Sequence, residues 1–169
     1  MTETAPSPSR RGRVTMQVRW SDVDLFAHVN NAAYLRYLDD ARFALFPSMG
    51  VDPVGRPTDS LLVVVKHEIE YLAPLSFRPA PIAVDVWIPR IGRSSVDFAY
   101  EVVDVPQVDD DDDAGTAAPA PAADPAVYLR ARSRMVQLDR ETHEPRPFTS
   151  DERAVFEAFP GEAPVLHGW

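Results

Sequence analysis

The chain contains no cysteine. Disulfides, thiolate nucleophiles and cysteine-ligated zinc are therefore excluded, and the absence fits a reducing compartment. Basic charge is in deficit as well. Lys and Arg number 17 against 26 Asp and Glu, giving a formal net charge of -9 and a pI of about 4.8. Such a chain lacks the basic face that nonspecific binding to nucleic acid or to an anionic membrane requires. No apolar run reaches the roughly 18 residues that a membrane span needs. The opening MTETAPSPSRRGR has charge but no apolar stretch behind it, so it does not read as a signal peptide. The expected location is the cytoplasm. The four histidines, His28, His67, His143 and His167, show no metal-ligand spacing such as HExxH, so no metal is expected. No serine stands in a nucleophile-elbow context.

What is present suits one folded unit. The 169 residues are 45% hydrophobic and 25% charged, enough for a single domain with a real core. Seventeen prolines are too many for a wholly regular fold of this size. Residues 1–12 are polar and read as a disordered tail. Residues 105–126, VPQVDDDDDAGTAAPAPAADPA, are acidic, Ala/Pro-rich and without periodicity. They read as a flexible expanded hairpin loop within one domain, because they fall where two strands must be joined. The run Asp109 to Asp113 holds much of the excess acid, so the folded part is closer to neutral.

Periodicity supplies the elements. Val14, Met16, Val18 and Trp20 alternate with Thr15, Gln17 and Arg19, which predicts a strand. SDVDLFAHVNN reads as a loop ending in two asparagines, which are strong helix N-caps. A helix is predicted over 31–46, with Tyr34, Leu38, Ala41 and Leu45 at helical spacing and Arg36, Asp39, Asp40 and Arg42 as a polar, salt-bridged patch between them. Pro47 and Gly50 stop it. Four strands follow. The first, 61–72, puts Leu61, Val63, Val65, His67, Ile69 and Tyr71 on one face and Lys66, Glu68 and Glu70 on the other. The second spans 82–88. The third carries Val96, Phe98, Tyr100 and Val102, and the last spans 127–138 with Arg130, Arg132 and Arg134 as a basic row. A short helix is predicted over 150–159, without a capping box at Ser150.

One long helix among antiparallel strands is an α+β layer arrangement. A single helix cannot cover a wide sheet, so self-association is expected, as a dimer or a tetramer.

The segment RWSDVDLFAHVNNAAYLRYLDDAR resembles the hotdog-fold acyl-CoA thioesterases of the 4-hydroxybenzoyl-CoA thioesterase type. The shared positions are Trp20, Asp22, Asp24, His28, Val29, Asn30, Asn31, Tyr34, Asp40, Ala41 and Arg42. EIEYLAPL (68–75) and IPRIGRSSVDFAYEV (88–102) support the resemblance, which spans roughly residues 14–148. It implies a hotdog fold, one long helix wrapped by a five- to six-stranded antiparallel sheet over residues 13–148, with a C-terminal helix and tail over 149–169. It also implies hydrolysis of an acyl-CoA thioester to free acid and CoA. Asp24 would be the catalytic carboxylate, as nucleophile or general base, and the backbone N–H at or near Asn31 would polarise the carbonyl. His28, Asn30 and Tyr34 would lie at the site, and Arg90, Arg93 and Ser94 near the CoA phosphates. CoA is part of the substrate, so no cofactor is implied.

One departure is Ala27, where the family has glycine before the histidine. If that position requires a positive φ, alanine costs about 1 kcal/mol or more. Two other readings stand beside hydrolysis. A hotdog hydroxyacyl-thioester dehydratase would carry Phe-Pro-Gly beside its histidine, whereas His28 is followed by Val-Asn-Asn. A non-catalytic acyl-CoA-binding protein would have no use for Asp24.

Overall fold

A computed structural model describes residues 11–49, 59–105 and 125–167. Most of the predicted tail over 1–12 and of the predicted loop over 105–126, together with the stop at Gly50, lie outside the described residues.

The elements run β1 (Gly12–Met16), α1 (Asn31–Leu45), β2 (Ser60–Tyr71), β3 (Ile82–Ile91), β4 (Ser95–Asp104), β5 (Val127–Asp139) and α2 (Ser150–Glu157). The five strands form one antiparallel sheet in the order β1-β3-β4-β5-β2. α1 packs on one face, against β1 and β3. This is the predicted α+β arrangement of one long helix wrapped by an antiparallel sheet.

The core lies between α1 and the inner sheet face. Tyr37, Leu38 and Ala41 of α1 meet Val84 and Val86 of β3, Val96, Phe98, Tyr100 and Val102 of β4, and Leu129 and Ala131 of β5, all essentially without solvent contact. Burying side chains of this size contributes about 1.5–3 kcal/mol each. α2 closes the far end by placing Phe156 edge-on to Phe98.

Three predictions need correction. β1 stops at Met16 although its alternation continues to Trp20, because Met16 pairs with Ile82, the first residue of β3. Pro81 precedes Ile82 and has no N–H to extend the ladder. β2 carries a bulge between Val64 and Lys66. The extra residue shifts the alternation, so Leu62 and Val64, opposite Gln137 and Met135, face inward in place of Leu61 and Val63. α2 does have a capping box, set one residue earlier than Ser150. The Thr149 hydroxyl accepts from the Glu152 N–H, and the Glu152 carboxylate accepts from the Thr149 N–H.

The outer face is a ladder of cross-strand ion pairs. Arg134 makes a bidentate pair with buried Asp97, at 2.7 and 2.8 Å. Arg130 pairs with Glu101, Arg132 with Glu68 and Arg13 with Asp85. The basic row of β5 is thus matched by carboxylates on its neighbours. No described helix is long and apolar enough to cross a membrane.

Candidate active site

The chain between β1 and α1 is a tightly bonded loop. A single 3-10 turn (Trp20–Asp22) precedes it. The Asp24 N–H donates to the His28 carbonyl, the Ala27 N–H to the Asp24 carbonyl, and the Asn30 N–H to the Asp22 carbonyl. The Asp24 carboxylate accepts from the Phe26 N–H at 2.8 Å, an Asx turn. The loop is tied to the segment after β2 by the Val29 N–H, which donates to the Leu75 carbonyl.

Closing this loop forces Ala27 to φ 61°, the left-handed region that glycine occupies without penalty. The alanine is therefore a strained residue in a turn that other bonds overdetermine. Ala27→Gly should raise stability by about 1 kcal/mol, net of the extra freedom of the unfolded chain. Urea denaturation would show this as a higher midpoint at unchanged slope, and a lower midpoint would contradict it.

Asp22 holds the loop on α1. Its carboxylate is almost fully buried and accepts from Arg19 at 2.9 Å, Arg36 at 2.8 Å and the Tyr37 hydroxyl at 2.9 Å. Burial pushes its acidity toward the neutral form, but the bonds from Arg19 and Tyr37 outweigh burial and hold it below the usual carboxylate range.

Asn30 is the N-cap of α1, its side chain accepting from the Ala32 N–H at 2.9 Å. Asn31 begins the helix, where no intrahelical acceptor exists for its N–H and the helix dipole is positive. Asp24 and this helix end face a common cleft of about 450 Å³, lined also by Ser21, Asn30, Ala33 and Arg36. A second cleft of about 260 Å³ lies across the helix end, lined by His28, Asn31, Tyr34, Tyr71, Leu72 and Pro74. The Tyr71 hydroxyl donates to the Asn31 carbonyl at 3.1 Å. Burial raises the Tyr34 hydroxyl far above its ordinary value, so it stays protonated.

The structure thus gathers Asp24, His28, Asn30, Asn31 and Tyr34 around one helix end. It does not bring Arg90, Arg93 or Ser94 there. These occupy the β3–β4 hairpin, whose strands pair Ile91 with Val96, whereas the Asp24 loop lies at the Ile82 end. Ten residues of β3 separate the two ends, about 30 Å at strand rise. Arg36 was missed as a site residue. Its spacing from Ala32 and Ala33, one turn along the same helix face, is the signal that could have found it. Arg42 was read as part of the polar patch. It is buried, donating to the Tyr100 hydroxyl at 2.6 Å and to Asp39. Its position one turn after Leu38, itself one turn after Tyr34, marked it as facing inward.

No curated protein matches the chain. Solved structures do match. A Pseudomonas aeruginosa protein is 24% identical with a TM-score of 0.71, over 90% of this chain and 93% of that one. A thioesterase predicted in Bacillus stearothermophilus is 18% identical with a TM-score of 0.72, over 92% and 100%. The 1,4-dihydroxy-2-naphthoyl-CoA thioesterase of Synechocystis is 16% identical with a TM-score of 0.66, over 87% and 96%. At these identities the likeness establishes the hotdog architecture. Residues 18–156 match the thioesterase-like superfamily, and the chain belongs to that family.

Proposed function

We propose that the protein hydrolyses acyl-CoA thioesters, in the manner of the 4-hydroxybenzoyl-CoA thioesterase type, with Asp24 as its catalytic carboxylate. The observation that carries this reading is that Asp24 lines one cleft with Asn30, Ala32 and Ala33 at the α1 N-terminus, while Asn31 lines the cleft across the same helix end. Thioester hydrolysis needs an attacking or water-activating group and a stabiliser for the carbonyl oxygen. Asp24 either attacks the carbonyl carbon, giving a mixed anhydride and releasing CoA thiolate, or removes a proton from the attacking water. The Asn31 N–H, with the helix dipole behind it, receives the oxygen as charge develops. These groups supply both needs, so the reading assigns no cofactor and no metal, and it places the enzyme in the cytoplasm.

Self-association completes the site. β2 is a 12-residue edge strand, with Val64, Val65 and Tyr71 exposed. A long, apolar, unpaired edge is a template for another strand. A two-fold axis would pair β2 with its copy antiparallel. The copy's β3–β4 hairpin, with Arg90, Arg93 and Ser94, would then come to the same end of the joined sheet as Asp24. Two exposed arginines there suit the CoA phosphates.

The test is thiol release from a panel of short, long and aromatic acyl-CoAs, with mass measured by sedimentation. Hydrolysis by a dimer or tetramer is expected, and the panel names the acyl class. Val65→Lys places a charge on the edge. It should shift the assembly toward monomer and lower hydrolysis about tenfold or more, through loss of the shared site. An active wild-type monomer would contradict the shared site. If nothing is hydrolysed but acyl-CoA raises the melting temperature, the acyl-CoA-binding reading replaces the enzyme.

A further inference from the structure

The cleft that Asp24 shares with the start of α1 holds a cation that the reaction leaves unused. Among the described residues that line it, Asp22 and Asp24 carry carboxylates and Arg36 alone is basic. The whole chain is acidic, with a net charge of -9, so without Arg36 this cleft would repel anions. Ala32 and Ala33, one turn earlier on α1, line the same cleft and add only methyl groups. The helix therefore presents little bulk between its N-terminus and Arg36.

Arg36 is anchored but not used up. Its Nη2 donates to Asp22 Oδ1 at 2.8 Å, while its side chain stays 64% exposed. That bond takes one of five N–H donors and leaves a planar fork for a second acceptor. Asp22 leans mainly on other groups. Burial works against its charge, hydrogen bonds from Arg19 and Tyr37 do most to hold it, and the Arg36 charge does least. Both of those bonds fall on Oδ2. The carboxylate is thus locked in place, and its free Oδ1 fixes the direction of the guanidinium beside it.

Distance selects the anion. In the proposed reaction the thioester carbonyl sits at the Asn31 N–H. Arg36 lies about 7.5 Å further along the helix axis, and helical side chains lean back toward the N-terminus. A short dicarboxylic acyl group, succinyl or glutaryl, spans that gap with its free carboxylate. The CoA phosphates do not, because the pantetheine arm holds them far from the thioester. Arginine binds a carboxylate through two parallel N–H bonds, the arrangement its open fork allows.

We infer that Arg36 is the specificity-determining residue of the acyl site: its guanidinium, oriented by Asp22, binds the free carboxylate of a short dicarboxylic acyl-CoA such as succinyl-CoA or glutaryl-CoA. The inference rests on the thioesterase reading and adds the substrate class. Arg36 touches the far end of the acyl group in ground state and transition state alike, so its effect falls chiefly on KM.

The experiment compares succinyl-CoA with butyryl-CoA by thiol release. The wild type should prefer succinyl-CoA about 30-fold in kcat/KM, chiefly through KM, the scale of a charge-assisted hydrogen bond. Arg36→Met should bring the ratio to one or below, because Asp22 and Asp24 then face the substrate carboxylate without a cation. Arg36→Lys, a point charge without the fork, should keep part of the preference. Any disturbance of the loop acts on both substrates and cancels in the ratio. No preference in the wild type overturns the inference. A preference that survives Arg36→Met, with both substrates slowed alike, also overturns it and gives Arg36 to the CoA phosphates. If neither is hydrolysed but another acyl-CoA of the panel is, the enzyme stands and the inference falls. If no acyl-CoA is hydrolysed, the thioesterase reading falls, and calorimetric titration of the same two compounds tests Arg36. Tighter binding of succinyl-CoA by the wild type but not by Arg36→Met supports the subsite, and equal binding overturns it.

Discussion

Asp22→Ala is expected to cost about 3 kcal/mol of stability at pH 7, the scale of breaking a buried, charge-assisted network. The carboxylate gathers Arg19, Arg36 and Tyr37 onto one buried point. Arg19 and Arg36 can turn to water, because their side chains are 48% and 64% exposed. The Tyr37 hydroxyl cannot, since Tyr37 is 1% exposed. The variant therefore leaves a buried donor unpaired and frees the loop that carries Asp24. The pH dependence follows from the sign of the shift. The folded acidity of Asp22 is held below its unfolded value, so its contribution is present above the unfolded carboxylate range. It is lost as pH falls through the folded value. The stability gap between wild type and Asp22→Ala, measured by urea denaturation, should thus be full at pH 7 and shrink below about pH 4. A gap that stays constant into acid would contradict the network.

Asp24→Asn is expected to lower kcat/KM about 100-fold or more, roughly 2.7 kcal/mol of transition-state stabilisation. The amide is nearly isosteric and keeps an oxygen to accept from the Phe26 N–H, so the Asx turn survives. What it lacks is the charge to attack a carbonyl or to accept a proton from water. Asp24→Ala removes the turn as well as the charge. It should lose the same activity and also some stability. The pair of variants therefore separates the chemical role of the carboxylate from its role in the loop.

Much of this molecule could be read in its residues, and the misses have local causes. Alternation located the strands, because apolar side chains line the inner face of each, even though β3 and β4 are buried on both faces. Asn30 and Asn31 located the start of α1. The β2 bulge was not legible, since Val64, Val65 and Lys66 contain no glycine or proline to mark it. The end of β1 was set by its partner strand, not by its own pattern. Around the site, the loop motif pointed to Asp24, and whether Ala27 needs a positive φ was open until the backbone showed it at φ 61°. The separation of Arg90, Arg93 and Ser94 from Asp24 was invisible, because distance across a sheet is a property of topology.

The most direct test of the account is thiol release by wild type and Asp24→Asn, side by side, on the best acyl-CoA of the panel, with melting temperatures as the control for folding. The account predicts hydrolysis by the wild type and a loss of about 100-fold or more in a variant that melts within a few degrees of it. Hydrolysis that survives the substitution would contradict the assignment of Asp24 and move the chemistry to another group on the two clefts.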